Sequence, residues 1–338
     1  YEDIQPLPNF NWKETEPLQL RPFKPKYHLT MGKFPLSKNL TPLIPAALEN
    51  ISISELLEID NTYLTRLHLR RSLISQHSFH TIAANPRIAP AITEFYTWIF
   101  GTYLPRRFPT IYVLHPSTLL NTATNEYIPL VPANAIAALE ILAAHVDTDF
   151  LFLLPDEEGK YKLEGFATCF PSGFDTRRKL GLSLADIHAP VPGYKARLEK
   201  SMDRFFASLA VGRVVRRGNW SVATRTELFR LEGSHLYEDD VGGEGGEGEA
   251  GNGEMEEIDF EQTIVRCERQ TLHRLPRTGA LVFAFKTYAY PIRKIREEGS
   301  GKVLAMAIDG LGEGNVPGMK VYKRGVVWGE RVKEFLLS

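Results

Sequence analysis

The chain has 338 residues, is 43% hydrophobic and 24% charged, and carries a formal net charge of −1. This composition is ordinary for a globular protein, and no run approaches the 18 apolar residues that a membrane-spanning helix needs. The two cysteines are too few for a disulfide framework, an iron–sulfur cluster or a structural zinc site. They favour an intracellular, cytoplasmic location, although a start at Tyr1 rather than Met is compatible with a removed N-terminal anchor.

The charge is distributed unevenly along the chain. Residues 232–261 contain twelve acidic residues and no Lys or Arg. Within this stretch, residues 237–258 are of Gly/Glu-rich low complexity and cannot bury a core, so they are predicted to form a solvated insertion. The rest of the chain is therefore basic, which suits anionic ligands or an acidic redox partner. No interleaving of basic and aromatic residues indicates a nucleic acid.

The hydrophobic periodicity predicts helices and short strands that alternate along the chain. Residues 1–45 are proline-rich and are expected to form an extended arm. The predicted helices are Ile51–Gln76, Ile88–Gly101, Asn134–His145, Tyr194–Leu209 and Gln262–Leu275. The predicted strands are Phe150–Leu154, Tyr161–Phe170, Trp220–Thr224 and Ala280–Tyr288. This order predicts an α/β (α+β) fold with one domain over residues 46–338.

The segment Asp186–Pro192, with the sequence DIHAPVP, is the strongest candidate for a functional site. Two prolines restrict the backbone after His188, so the segment is expected to be extended rather than helical. On an extended segment Asp186 would lie on the same side as His188 and could accept its Nδ1–H, leaving Nε2 free for a metal. A loop histidine that is simply hydrogen-bonded to a neighbour is the alternative.

Two basic clusters offer partners for an anionic ligand. If Gln262–Leu275 is a helix, Arg266, Arg269, Gln270 and His273 share one face, and arginine suits carboxylates such as those of haem. Arg213, Arg216 and Arg217 form a second cluster just before Asn219 and Trp220. A solvated helix face would explain the same residues without any ligand.

Two further patterns resemble known sites but are interpreted structurally. Gly310-Leu311-Gly312-Glu313-Gly314 is similar to a dinucleotide-binding loop, but the helix-opening glycine is missing and Pro317 follows. Asp147 and Asp149 could form a catalytic carboxylate pair, yet aspartates that precede a buried strand are the favoured interpretation.

Several motifs together resemble the α-subunit family of haem-dependent oxidative N-demethylases, in particular its fungal branch, often called HRQ-family proteins. The match covers most of residues 30–290, in the order and spacing of the family. The motifs are LEGFATCFPSGF (163–174), LGLSLADIHAPVP (180–192), RRGNW (216–220), RCERQT (266–271) and LPRTGALVFAF (275–285). Residues 146–149, Val-Asp-Thr-Asp, depart from the Gln-Glu-Asp expected in bacterial members of the family, so the resemblance carries no catalytic or substrate-binding role over to these acids.

The resemblance implies a PAS-like domain that binds haem b and hydroxylates an N-methyl group with O₂, releasing formaldehyde. It implies that electrons come from a separate flavin and iron–sulfur reductase using NAD(P)H, and this chain indeed lacks motifs for those cofactors. His188 would be the iron ligand, supported by Asp186. Arg216, Arg266 and Arg269 would hold the propionates or an anionic substrate group, Asn219 and Gln270 would be polar pocket residues, and Trp220 would form part of the wall.

Two other functions remain open at this stage. A PAS-type sensor of haem or of a small ligand would use the same residues without turnover. A scaffold that has lost the cofactor would instead bind partners through the acidic insertion.

Overall fold

The structure is a computed structural model that describes residues 1–30, 48–237 and 258–338. Most of the predicted acidic insertion and the end of the N-terminal arm lie outside these ranges. The strands are β1 (Glu49–Ile51), β2 (Ile82–Ala84), β3 (Tyr112–Leu114), β4 (Thr118–Asn121), β5 (Glu126–Pro129), β6 (Asp149–Pro155), β7 (Tyr161–Ala167), β8 (Val214–Ala223), β9 (Ile264–Arg274) and β10 (Leu281–Pro291).

The helices are distributed along the chain from Tyr63 to Leu337. They are α1 (Tyr63–Thr81), α2 (Ala89–Trp98), α3 (Leu104–Arg107), α4 (Ala135–His145), α5 (Leu184–His188), α6 (Tyr194–Arg197), α7 (Glu199–Ser208), α8 (Ile292–Glu297), α9 (Gly301–Glu313), α10 (Met319–Tyr322) and α11 (Gly325–Leu337). A π-helical turn, Ile99–Tyr103, joins α2 to α3. No helix in the described part of the chain is long and apolar enough to cross a membrane.

The predicted mixture of helices and strands is confirmed, and its centre is a seven-stranded antiparallel sheet. The strand order is β1-β8-β9-β10-β6-β7-β2, and β3–β5 form a separate three-stranded sheet. The longest pairings join β9 to both of its neighbours: ten residue pairs with β8 and eleven with β10. These three strands therefore form a long central platform.

The predicted helix Gln262–Leu275 is wrong, because this segment is the central strand β9. Its first ten residues are all buried, so both faces of the strand are covered and no two-residue alternation is visible in the sequence. The polar residues happen to fall at helical spacing, which misleads a periodicity argument. Two long strand pairings decide the conformation instead. Consequently Arg266, Arg269, Gln270 and His273 do not share a face.

Different helices cover the two faces of the platform. One large core is formed by α1, α2 and α4 around side chains such as Phe95, Leu139 and Phe150. A second packs the C-terminal helices against the far end of β8–β10, around Trp220 and Tyr288. A third, smaller cluster joins α5–α7 to the other face, around Leu272. The candidate site lies beneath this third layer.

The glycine-rich segment in α9 receives the N-terminal arm rather than a dinucleotide. A Cβ on Gly310 would lie 2.2 Å from the carbonyl oxygen of Pro25, and one on Gly314 would lie 1.6 Å from that of Tyr27. The backbone N–H of Tyr27 also donates to the carbonyl of Gly310 at 2.9 Å. The glycines are thus needed for close backbone approach.

Candidate functional site

A cavity of about 310 Å³ lies between α5–α7 and the platform, with the loops around Ser172 and Ser234 and the end of α10 at its side. This volume is at the lower end of the range typical of small-molecule sites. Most of its wall is apolar, from residues such as Leu153, Leu163, Leu184, Leu198, Met202, Phe206, Val215, Leu272 and Phe283. A mostly apolar wall with a few polar groups is typical of a binding site for a small organic molecule.

His188 lies on the cavity wall at the end of the short helix α5, so the predicted extended conformation is wrong. The Ser183 hydroxyl caps this helix by accepting from the Asp186 backbone N–H at 3.2 Å. Such a cap stabilises a helix start, and the prolines at 190 and 192 come only after the helix has ended.

The predicted Asp186–His188 hydrogen bond is also wrong. Asp186 is exposed, and its carboxylate accepts from the Ser183 hydroxyl at 2.6 Å. The Nδ1 of His188 instead lies 2.8 Å from the carbonyl oxygen of Leu184. A carbonyl can only accept, so it fixes the proton on Nδ1 and leaves the lone pair on Nε2, as in many metal-ligating histidines.

The surroundings of His188 keep its imidazole neutral. Burial, with smaller contributions from Lys179 and Arg217, lowers its pKa to about 4, although the Leu184 hydrogen bond acts in the opposite direction. The ring stacks on Tyr194, with centroids 4.9 Å apart and planes at 15°. At neutral pH His188 is therefore an oriented, unprotonated imidazole, which is the form that binds a metal.

A row of polar side chains crosses the floor of the cavity on one face of β8 and β9. Strand pairing sets Arg217 opposite Gln270 and Asn219 opposite Glu268, so the four side chains point the same way. Arg217 Nε donates to Gln270 Oε1 at 2.6 Å, and Gln270 Nε2 donates to Glu268 Oε2 at 2.8 Å. Asn219 Nδ2 donates to Glu268 Oε2 at 3.4 Å. The row holds two of the predicted pocket residues, Asn219 and Gln270, in fixed orientations.

Two lysines that the sequence did not single out also line the cavity. The Nζ of Lys323 donates to the carbonyl of Trp220 at 2.5 Å and to Asn219 Oδ1 at 3.2 Å. The Nζ of Lys179 lies 4.3 Å from the ring centroid of Phe174. Burial lowers the pKa of each lysine to about 8. Both are thus predominantly charged at neutral pH, in an environment that would favour an anionic partner.

The cavity wall carries more positive than negative charge. Arg217, Lys179 and Lys323 contribute three cations, and Glu268 contributes the one carboxylate among the described lining residues. The lining therefore has an excess of two positive charges. A ligand with two acidic groups would balance it.

A second histidine, His235, lines the same cavity and was missed from the sequence. Burial lowers its pKa to about 4, and its Nδ1 lies 3.4 Å from the carbonyl oxygen of Gly173. Its ring packs on that of Tyr322, with centroids 4.4 Å apart. It belongs to no recognisable motif and lies just before the low-complexity stretch.

The structure does not bring the two predicted arginines of β9 together at the cavity. Arg266 lies near the cavity face but donates to the carbonyls of Leu228 and Phe170. Arg269 is on the opposite face of β9 and donates to Leu56 and Glu55 carbonyls. Neither is among the lining residues.

Arg216 and Trp220 differ in their relation to the cavity. Arg216 forms ion pairs with Glu49 and Glu55, away from the cavity, so its neighbour Arg217 is the arginine of β8 that lines the cavity. Trp220 borders the cavity as predicted, and its ring packs edge-on against Phe23 in the second core.

The other sequence patterns have structural explanations. Asp149 opens β6 and pairs with Arg70 at 2.7 Å, and neither Asp147 nor Asp149 lines the cavity. Cys169 and Cys267 are buried free thiols. Burial raises the pKa of Cys169 to about 12, so it is a neutral thiol.

Comparison with known families matches residues 47–333 to the sequence model of the family described as haem-dependent oxidative N-demethylase, alpha subunit-like. This range includes every residue of the cavity floor, His188, His235 and both lysines. The chain belongs to this family.

Proposed function

We propose that this member of the haem-dependent oxidative N-demethylase α-subunit-like family binds haem b in the cavity through His188 and demethylates an amine. The observation that carries the proposal is the neutral imidazole of His188, with Nδ1 held by the Leu184 carbonyl and with Nε2 left for a metal. A haem iron needs only one such side chain from the protein. The absence of a cluster of three or more potential ligands from the described residues is therefore compatible with haem.

The rest of the cavity wall also has the chemistry that suits haem. Its apolar wall suits the porphyrin, and its excess of two positive charges matches the two carboxylates of haem. Arg217 offers a planar, permanently charged group for one propionate, and the two lysines can serve the other. These residues replace Arg216, Arg266 and Arg269 as candidates for propionate binding.

When bound, haem would supply the chemistry by which O₂, two electrons and two protons convert an N-methyl group to N–CH₂OH, with water as the second product. The carbinolamine then loses formaldehyde and leaves the demethylated amine. Gln270 and Asn219 would orient the amine, since their amides are held by Arg217 and Glu268. The leucines and phenylalanines of the wall would exclude bulk water from the reacting carbon.

Features of the fold and the sequence also support proposals for the core fold, the family branch, the cellular location and the electron donor. The antiparallel sheet with helices over the cavity supports a PAS-like core, and the motif spacing supports the fungal HRQ branch. The two free cysteines support a cytoplasmic location. We also infer a separate flavin and iron–sulfur NAD(P)H reductase as the electron donor, because the chain has too few cysteines to hold a cluster itself.

Haem reconstitution of the purified chain tests this proposal. We expect one haem per chain with a Soret band, and we expect His188→Ala to lose at least about tenfold in haem affinity. His68→Ala is a matched control, because His68 is exposed on α1. Unchanged haem affinity in His188→Ala would contradict the proposed ligand.

Turnover is tested separately, with a reductase and a panel of methylated amines. Formaldehyde release that requires haem, NAD(P)H and O₂ is the expected result. Tight haem binding without formaldehyde from any amine would instead identify a haem sensor.

A further inference from the structure

His235 is held in the cavity wall by backbone hydrogen bonds on both sides of its segment. Its segment is fixed to the loop that follows β7, because Gly173 N–H donates to the Arg230 carbonyl at 2.8 Å and Arg230 N–H donates to the Pro171 carbonyl at 3.3 Å. On the other side, Leu236 N–H donates to the Tyr322 carbonyl at 3.2 Å. Backbone hydrogen bonds on both sides therefore position the imidazole.

Gly173 allows the close approach that this position needs. Its φ is +75°, and a Cβ there would lie 2.2 Å from the Cβ of Ser234. Any other residue would push the His235 segment away from the loop. Gly173, in the Pro-Ser-Gly-Phe motif, thus allows the His235 segment to pack closely beside the cavity.

The two cavity histidines have the same local arrangement. In both, Nδ1 lies against a backbone carbonyl and the ring packs on a tyrosine. In both, no described residue forms a hydrogen bond with Nε2. They come from separate walls, since His188 belongs to α5 and His235 to the loop beside α10.

We propose that His235 would be a second protein ligand of the haem iron, in addition to His188. This inference rests on the proposed function. It assigns His235 a role in setting the coordination number of the iron.

Ligation explains the arrangement better than proton transfer does. A basic amine in water is protonated at neutral pH, and a neutral, buried imidazole surrounded by cations is a weak acceptor for its proton. The charged groups that act on His235 are Lys323, Lys179 and Glu268. With two lysines against one carboxylate, an imidazolium would be unfavourable there, whereas a neutral nitrogen ligand adds no charge.

The test is the spin state of the reconstituted ferric protein, measured by absorption and electron paramagnetic resonance. We expect a six-coordinate, low-spin spectrum in the wild type and a high-spin spectrum in His235→Ala. Added imidazole should restore the low-spin spectrum in that variant. His235→Gln, which retains a polar side chain of similar length, serves as a second variant and should also be high-spin, and His68→Ala should match the wild type.

Ligand binding provides a second readout. An internal ligand must leave before an external one binds, so the apparent affinity for cyanide should rise about tenfold or more in His235→Ala. A high-spin wild type, or a His235→Ala protein with unchanged spin state and cyanide affinity, would overturn this inference while leaving His188 ligation intact. Failure of the chain to bind haem would overturn the proposed function itself.

Discussion

Within the described residues, two clusters of buried and half-buried charged side chains differ in their charge balance. The first joins α1 to the start of β6 and to β10. Its members are the cations Arg66, Arg70 and Lys286 and the acids Asp60, Asp147 and Asp149. The second is the cavity set Arg217, Lys179, Lys323 and Glu268. The first is neutral in sum, and the second has two unbalanced positive charges.

The balanced cluster satisfies its charges within the protein. Arg70 Nη1 lies 2.7 Å from Asp149 Oδ1, and Lys286 Nζ lies 2.7 Å from Asp60 Oδ2 and 3.4 Å from Asp147 Oδ2. The Asp149 carboxylate also accepts the backbone N–H groups of Cys169 and Phe170. Such a network is structural, because nothing remains to attract a ligand.

The cavity set lacks this internal compensation. Its one carboxylate, Glu268, accepts hydrogen bonds from Gln270 and Asn219 and lies 3.9 Å from the Nε of Arg266, which does not line the cavity. The lysines of the set therefore have no carboxylate of their own among the described residues, and burial lowers the pKa of both. Buried charge alone therefore does not mark a functional site. Excess charge of one sign, beside a cavity, does.

The largest effect is expected from breaking the balanced cluster. Arg70 is fully buried and also donates to the carbonyls of Ala143 and Thr148. Arg70→Met would leave Asp149 buried without its counter-ion and should lower the free energy of unfolding by about 3–5 kcal/mol. Urea denaturation measures it, with Arg204→Met on the exposed face of α7 as the matched control. Equal stability of the two variants would show that the network is dispensable.

A smaller effect, on binding rather than folding, is expected from Lys323→Met. This variant should bind haem about tenfold more weakly, equivalent to ~1.4 kcal/mol. It should bind haem dimethyl ester, which lacks the propionate charges, as well as the wild type does. Titration followed by the Soret band gives both affinities, and exposed Lys200→Met is the control. An equal loss for haem and its ester would mean that Lys323 does not recognise carboxylates.

The smallest expected effect is a pH dependence of the preference for haem over haem dimethyl ester. The pKa of Lys323 and of Lys179 in the folded protein is about 8, so both lose charge as pH rises through 8. The preference for haem over its ester should therefore be full below pH 7 and fall several-fold by pH 9, with Arg217 retaining the remainder. A preference that is constant from pH 6 to pH 9 would contradict the role of the lysines.

The sequence predicted local structure well where one pattern dominates. Helix α4 begins after Asn134, whose side chain accepts from Ala137 N–H, and β6 follows as the predicted apolar strand. It failed for β9, because the conformation there depends on pairing with β8, about 50 residues away, and with β10. The prediction of an extended segment at Asp186 also failed, because the Ser183 side chain caps a short helix that ends before the two prolines.

The candidate site was predictable in kind but not in detail. His188, Gln270, Asn219 and Trp220 all border the cavity, and each was named from motifs. Lys179, Lys323 and His235 carry no local signal, since tertiary packing alone brings them to the same wall. Their importance comes from burial, which a linear pattern does not reveal.

The split between Arg216 and Arg217 has a consequence for comparing relatives. Two adjacent, chemically identical side chains point to opposite faces of β8, one to Glu49 and one to the cavity. An alignment shifted by a single position would exchange them and transfer the role of one to the other. Family members should therefore be aligned on the pairing of β8 with β9, in which Arg217 lies opposite Gln270 and Asn219 lies opposite Glu268.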